Sequence, residues 1–239
     1  AAARMKAALI LATQQFAAHP AFSDADVEEF FFIESGPRFA KLPYHRHKIV
    51  LLVSAMRHTA ARLEADGRTV RRVALGDDLT FADALTGLLT AHGVDELTWM
   101  SDPNRPVDDR IARLCAELGV ETDILPDALF LTPEVDLDAW FAEHPTPLME
   151  DFSRWQRRRT GILMDGGTPA GRRWNFDADN RKPLPKRGLD VPALPRPERD
   201  EITEAVIAEV DERFPDHPGK AADFWLPVTP ADARAWLDV

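Results

Sequence analysis

Five short apolar runs punctuate the first half of the chain: Ala7–Ala12, Glu29–Ile33, Val70–Val73, Glu96–Met100 and Thr122–Leu125. Their shortness and apolar content suit strands buried on both faces of a sheet. Between the later runs lie longer segments in which apolar residues recur at helical spacing. His47–Ala65 groups Val50, Leu51, Val53, Met56 and Leu63, Phe81–Ala91 forms a second such segment, and Pro106–Leu118 opens with proline where a helix tolerates it best. Gly67, Gly93 and Gly119 close these segments, and each is followed within three residues by a strand, as expected of helix C-caps. Alternating strands and helices predict an α/β fold, a Rossmann-like five-stranded parallel sheet flanked by helices and joined by right-handed crossovers.

After Leu125 the pattern changes. Leu137–Glu143 and Pro147–Arg159 read as helices, Thr160–Glu198 is rich in Pro and Gly and reads as a linker, and Glu201–Phe214 and Pro230–Leu237 read as further short helices. The predicted division is an α/β domain over 1–135, a helix and interdomain linker over 136–200, and a final helical stretch over 201–239. A chain of 239 residues has room for one such domain of about 130–150 residues plus an appendage.

Charge qualifies this picture. The formal net charge of −11 opposes non-specific coating of nucleic acid, which depends on Lys and Arg neutralising phosphates. The charge is unevenly spread: Asp151–Asp190 carries +5 and the remainder −16, so an anionic partner is expected at that window. The single cysteine, Cys115, excludes an internal disulfide and any four-thiolate cluster held by this chain alone. No apolar run reaches the roughly 18–20 residues of a membrane span, and the first residues lack a secretory pattern. A soluble, cytoplasmic protein that does not engage a membrane is expected.

Within the basic window, Thr160–Arg181 (TGILMDGGTPAGRRWNFDADNR) joins glycines, paired arginines, an indole and aspartates without a helical or strand period. Immediately before it, Arg154, Arg157 and Arg158 share one helical face by i, i+3, i+4 spacing, a face suited to phosphates or simply to water. Trp174-Asn175-Phe176-Asp177 alternates apolar and polar groups, as when an extended segment pins two rings to a core and exposes two polar heads. Elsewhere, His45 and His47 form a His-x-His pair without a third ligand at metal-site spacing. That tract is read as a solvated, partly basic helix start, and no metal site is expected. The ends of the first two strands, near Thr13 and Ile33-Glu34, lie where parallel sheets bind ligands, yet neither matches a dinucleotide or P-loop signature.

Two segments, TGILMDGGTPAGRRWNFDADNR and KIVLLVSAMRHTAARL at Lys48–Leu63, resemble the photolyase-related family of prokaryotes, the iron-sulfur bacterial cryptochromes and (6-4) photolyases. The resemblance runs from about Leu9 to Trp236. It implies that the chain is the N-terminal half of a flavoprotein for light-dependent DNA repair or blue-light sensing. Residues 201–239 would then begin a helical domain that holds FAD and a four-cysteine 4Fe–4S cluster, with no catalytic residue on the present chain. It further implies an antenna site for a ribityl-lumazine at Thr13, Ile33 and Arg38, with Glu34 beside them at the strand end, a carboxylate that reads equally as a salt-bridged or helix-capping group. Family members typically carry Asp, Cys and Glu at the three positions, and this chain departs at all three. An Asp acceptor becomes Thr and a Glu acceptor becomes a cation, which disfavours a ribityl group. The resemblance also places Asp177 and Arg181 near a flipped DNA lesion, with Arg157, Arg158 and Arg173 toward DNA phosphates. The alternative is a non-catalytic α/β module that binds a small molecule or a partner flavoprotein chain.

Overall fold

The computed structural model describes residues 4–181, 183–190, 193 and 195–238, which form two compact units, 1–129 with 194–239, and 130–193. The first unit is built on β1 (Lys6–Leu9), β2 (Glu29–Ile33), β3 (Thr69–Val73), β4 (Glu96–Met100) and β5 (Glu121–Leu125), all parallel, in the order β3-β2-β1-β4-β5. The five expected strands are therefore present. Only the first ends early, at Leu9, although Ile10 still donates its backbone N–H to Phe31 O at 3.0 Å.

Side-chain alternation along a strand distributes the core. Phe31 turns to one face of the sheet with Leu9, Leu97 and Trp99, where α3 (Phe81–Ala91) and α4 (Arg105–Leu118) contribute Leu85 and Ile111. Phe30 and Phe32 turn to the other face with Ala8 and Ile10, against Met56, Ala60 and Leu63 of α2 (Arg46–Ala65). The sheet is thus covered on both sides, which is why its central strands read as continuous apolar runs. Among the C-caps, Gly67, Gly93 and Gly119 have φ of 78°, 59° and 71°, values that cost other residues. A short helix, α1 (Gly36–Ala40), follows β2.

A second apolar side of α2, with Ile49, Val50 and Val53, is buried against Val206, Val210 and Phe214 at α8 (Glu201–Arg213), together with Phe39 and Phe224. Each fully buried Val or Phe contributes about 1.5–3 kcal/mol, so residues 201–224 hold firmly to the α/β unit. Arg46, at the start of α2, pairs with Asp211 and donates through Nε to His217 O at 3.1 Å, while its backbone N–H reaches Pro218 O at 2.9 Å. Gly219 has φ of 82°, and a Cβ there would sit 2.2 Å from the His45 ring. Glycine is what lets this loop seat against the helix start. The chain ends in α9 (Pro230–Leu237), whose neighbour Trp225 packs on Trp236.

The second unit contains α5 (Glu134–Glu143), α6 (Met149–Thr160), the antiparallel pair β6 (Met164–Asp165) and β7 (Thr168–Pro169), and α7 (Asp177–Asn180). Its centre is aromatic: Trp140 is buried, stacks on His144 at 4.2 Å and meets Phe152 at 5.1 Å. The hairpin lies within the stretch Thr160–Glu198 that the sequence reads as a linker. Its turn is Gly166-Gly167, with Gly166 at φ 58°, a strong short-range hairpin signal masked by the brevity of the flanking strands. Among the described residues no helix is long and apolar enough to cross a membrane.

His19, in the β1–β2 connection, is buried between the rings of Phe16 and Phe22, and its Nδ1 accepts the Ala21 N–H at 3.2 Å. Burial pushes its pKa down from 6.5 to about 4. The unfolded chain takes up this proton near 6.5 and the folded protein only near 4, so unfolding binds a proton throughout that window. Stability is therefore expected to fall as pH drops from 6.5 to 4, by about 3 kcal/mol from this group, and to lose no more below it. Urea melts across the window should show this slope, and His19→Asn, which keeps an acceptor for Ala21, should flatten it.

Candidate functional site

In the strand order, β1 is followed on one side by β2 and on the other by β4, so connections leaving their carboxyl ends diverge and open a crevice. The crevice is a pocket of about 550 Å³ in the first unit. Its floor comes from Leu9–Thr13 and Ile33, and its walls from the β2–α2 segment and the starts of α3 and α4, including Ser35, Phe39, Tyr44, Thr80, Phe81 and Asn104. The volume suits a small organic ligand.

Three of the four expected pocket residues meet here: Thr13 and Arg38 are exposed at the mouth and Ile33 is buried in the floor. The fourth, Glu34, does not line the pocket, and this corrects its expected ligand role. As the neighbour of Ile33 it projects to the opposite face, where its fully buried carboxylate accepts from Arg57 Nε at 3.0 Å and Nη2 at 2.7 Å, Arg72 Nη1 at 3.0 Å and the Leu75 N–H at 3.0 Å. Arg57 also reaches Glu209 of α8 at 2.6 Å. Burial pulls the Arg57 pKa down, but hydrogen bonds and charge from Glu34 and Glu209 outweigh it, and the net direction is upward.

Three further pocket cations, Lys41, Lys48 and Arg110, were not singled out from the sequence. The spacing of Arg38, Lys41, Tyr44 and Lys48, three, three and four residues apart, was the available signal. It was hidden because α1 stops at Ala40 and α2 begins at Arg46.

In the second unit the arginine face of α6 converges on an indole. The guanidiniums of Arg154, Arg157 and Arg158 lie 5.7, 5.2 and 5.0 Å from the Trp174 ring centre. Arg157 also donates to Leu163 O, and Arg173 sits 4.4 Å over Phe176. Glu150 pairs with Arg154 and accepts from Asn175 Nδ2 at 3.2 Å, and these contacts, Asn175 first, hold its carboxyl below the usual range. Asp177 takes Arg181 at 2.6 Å, both side chains exposed. Trp174 is only half-buried and Phe176 is exposed. The two rings therefore serve as platforms for arginines, not as the expected core anchors. The structure thus gathers Arg157, Arg158 and Arg173 around two rings and pairs Asp177 with Arg181.

His45 Nδ1 accepts the His47 N–H at 3.1 Å and His47 Nε2 meets Lys220 O at 2.9 Å, so both rings serve the helix start. Among the described residues no group of His, Cys, Asp and Glu could hold a metal ion. Cys115 is buried, and burial pushes its thiol up to about 11. An iron–sulfur cluster with four thiolate ligands does not fit a chain with one cysteine.

A family model described as deoxyribodipyrimidine photo-lyase-related protein matches residues 8–226. The chain is similar to the (6-4) photolyase of Agrobacterium fabrum, with 37% identity over 199 residues that cover 81% of this chain and 39% of that protein. The chain therefore spans about two fifths of that relative's length.

Replacing Glu34 by Gln leaves Arg57 and Arg72 without their shared charge. The expected loss is about 3 kcal/mol of stability, read from the urea midpoint. A loss below about 1 kcal/mol, the range of an exposed pair, would show that the pair behaves as a surface contact.

Proposed function

Since the chain belongs to the deoxyribodipyrimidine photo-lyase-related protein family, we propose that it is the antenna-type α/β portion of a flavoprotein that repairs (6-4) photoproducts in DNA under light. The observation that carries this reading is the 37% identity to a (6-4) photolyase across 81% of the chain. It is supported by a basic surface of +5 over 151–190 in a protein otherwise at −16, a distribution suited to DNA more than to signalling alone. On this reading the protein works in the cytoplasm on chromosomal DNA.

The flavin and an iron–sulfur cluster would be held by the part of the protein that lies beyond the matched residues. The flavin, when bound there, supplies the electron that drives rearrangement of the photoproduct. The residues of this chain do other work. Arg157 and Arg158, presented around Trp174, neutralise phosphates and set the register of the duplex. Arg173 extends that surface from its seat on Phe176. Asp177, oriented by Arg181 and by its backbone bond to Asn175 Oδ1 at 2.7 Å, offers an acceptor for an extruded base. Thr13, Ile33 and Arg38 frame the pocket for a light-harvesting chromophore.

The combined Arg157→Glu and Arg158→Glu change, made in the protein joined to its flavin-bearing part, is expected to weaken DNA binding at least tenfold and to lower the salt slope by about 1.8, near 0.9 per lost phosphate contact. Unchanged affinity and slope would remove the DNA assignment. Asp177→Asn is expected to abolish light-dependent loss of (6-4) photoproducts, assayed by chromatography of the irradiated DNA, while flavin content stays the same. Undiminished repair would leave Asp177 as a partner of Arg181 only.

A further inference from the structure

The charge around the crevice at the ends of β1, β2 and β4 is unlike that of the rest of the first unit. Four cations line it, Arg38, Lys41, Lys48 and Arg110, against one carboxylate, Asp102, whose Oδ1 already accepts the Asn104 N–H at 2.8 Å. Among the described residues none of the four has an ion pair, and only Lys48 has a ring contact, 4.3 Å over Tyr44. Several other cations of the same unit are closely neutralised. Lys6 faces Asp24, Glu96 and Asp123, Arg71 faces Glu29, and Arg57 and Arg72 share Glu34. In a chain of net charge −11, what distinguishes these four is that they gather around one concavity, and their mutual repulsion is relieved when an anion binds between them.

The amino-terminal ends of two full helices open onto the same space. Thr80, Phe81 and Ala82 bring the start of α3, and Asn104 and Val107 the start of α4, where Asn104 makes no side-chain cap. The two helix dipoles add positive potential at the crevice, partly offset by Asp83 and Asp108 in the first turns. Behind the charged rim the pocket is apolar, with the half-buried Leu52, Phe81 and Leu114 offering a dry surface to a flat ring. A ligand that satisfies both parts has an apolar heteroaromatic body and an anionic end.

We propose that this pocket binds a heteroaromatic ligand bearing a phosphate monoester, its ring against Leu52, Phe81 and Leu114 and its phosphate among Arg38, Lys41, Lys48 and Arg110. The ligand's charge follows from the lining alone. Its use as a light-harvesting chromophore rests on the function proposed above.

Two matched pairs test this on the purified chain: flavin mononucleotide against riboflavin, followed by fluorescence quenching, and adenosine monophosphate against adenosine, followed by calorimetry. At least one phosphorylated member is expected to bind about tenfold or more tightly than its uncharged partner, with that margin shrinking as salt rises. The combined Arg38→Glu and Lys41→Glu change should bring the ratio to about one. Arg110→Gln alone, a milder exposed substitution, should reduce it severalfold, with circular dichroism showing both variants folded. Equal affinities within each pair, or neither phosphorylated compound binding below millimolar concentration, would overturn the proposal. Tight phosphate-dependent binding that does not increase repair by the flavin-joined protein at the ligand's absorption wavelength would remove the antenna role and leave the ligand class standing.

Discussion

The carboxylate of Glu34 organises the first unit, because it is wholly withdrawn from water and therefore requires every donor that surrounds it. Its donors come from α2 through Arg57, from β3 through Arg72 and from the backbone after β3 through the Leu75 N–H. Arg57 passes the interaction on to Glu209, so the sheet, the long helix and α8 are tied at one point. Removing one partner strands the others in a poorly solvated place, a far larger cost than losing a surface pair. The same geometry keeps Glu34 out of the crevice: the strand places Ile33 on one side and Glu34 on the other, so the network and the pocket share a strand end without sharing residues.

That separation leaves the crevice positively charged. The carboxylate nearest in sequence to its floor is spent on Arg57 and Arg72, and the β2–α2 segment contributes Arg38, Lys41 and Lys48 with no acid between them. Concave low-dielectric walls strengthen such a field, and an apolar floor favours a ring over an inorganic ion. The second unit handles its arginines differently. There Trp174 supplies a quadrupole to three guanidiniums at 5.0–5.7 Å, contacts of about 0.5–1 kcal/mol each when exposed. Together with Glu150 these offset the repulsion of packing like charges, while the guanidinium edges still have donors to offer an anion.

Much of the first unit was legible from the sequence. Strands such as Glu29–Ile33 and Glu96–Met100 announce themselves because a parallel sheet covered on both faces is mostly apolar at its centre, the buried Thr98 being satisfied by a hydrogen bond to Asp123 O. The helices between them carry periodic apolar positions and end in glycines that only a left-handed cap explains. The site was less legible. Thr13, Ile33 and Arg38 were recognised through resemblance and do meet at the pocket, but Lys41, Lys48 and Arg110 belong to segments without a shared period, and only folding brings them to one rim. Likewise Arg154, Arg157 and Arg158 were visible as a helical face, whereas the indole they surround comes from a segment with no period at all.

The hydrophobic pattern by itself determined the class of fold, the order of its elements and their boundaries to within a few residues, since burial on one or two faces dictates spacing along the chain. Family membership was equally local, carried by contiguous motifs. The tertiary structure decided what spacing cannot encode: that Glu34 is a structural hub and not a ligand group, that residues 201–224 complete the burial of α2, and that cations of two separate segments, with no ion pair among the described residues, frame one apolar crevice. These outcomes depend on which side chains share a dielectric environment, and that is set by packing across elements, not by the order of residues within them.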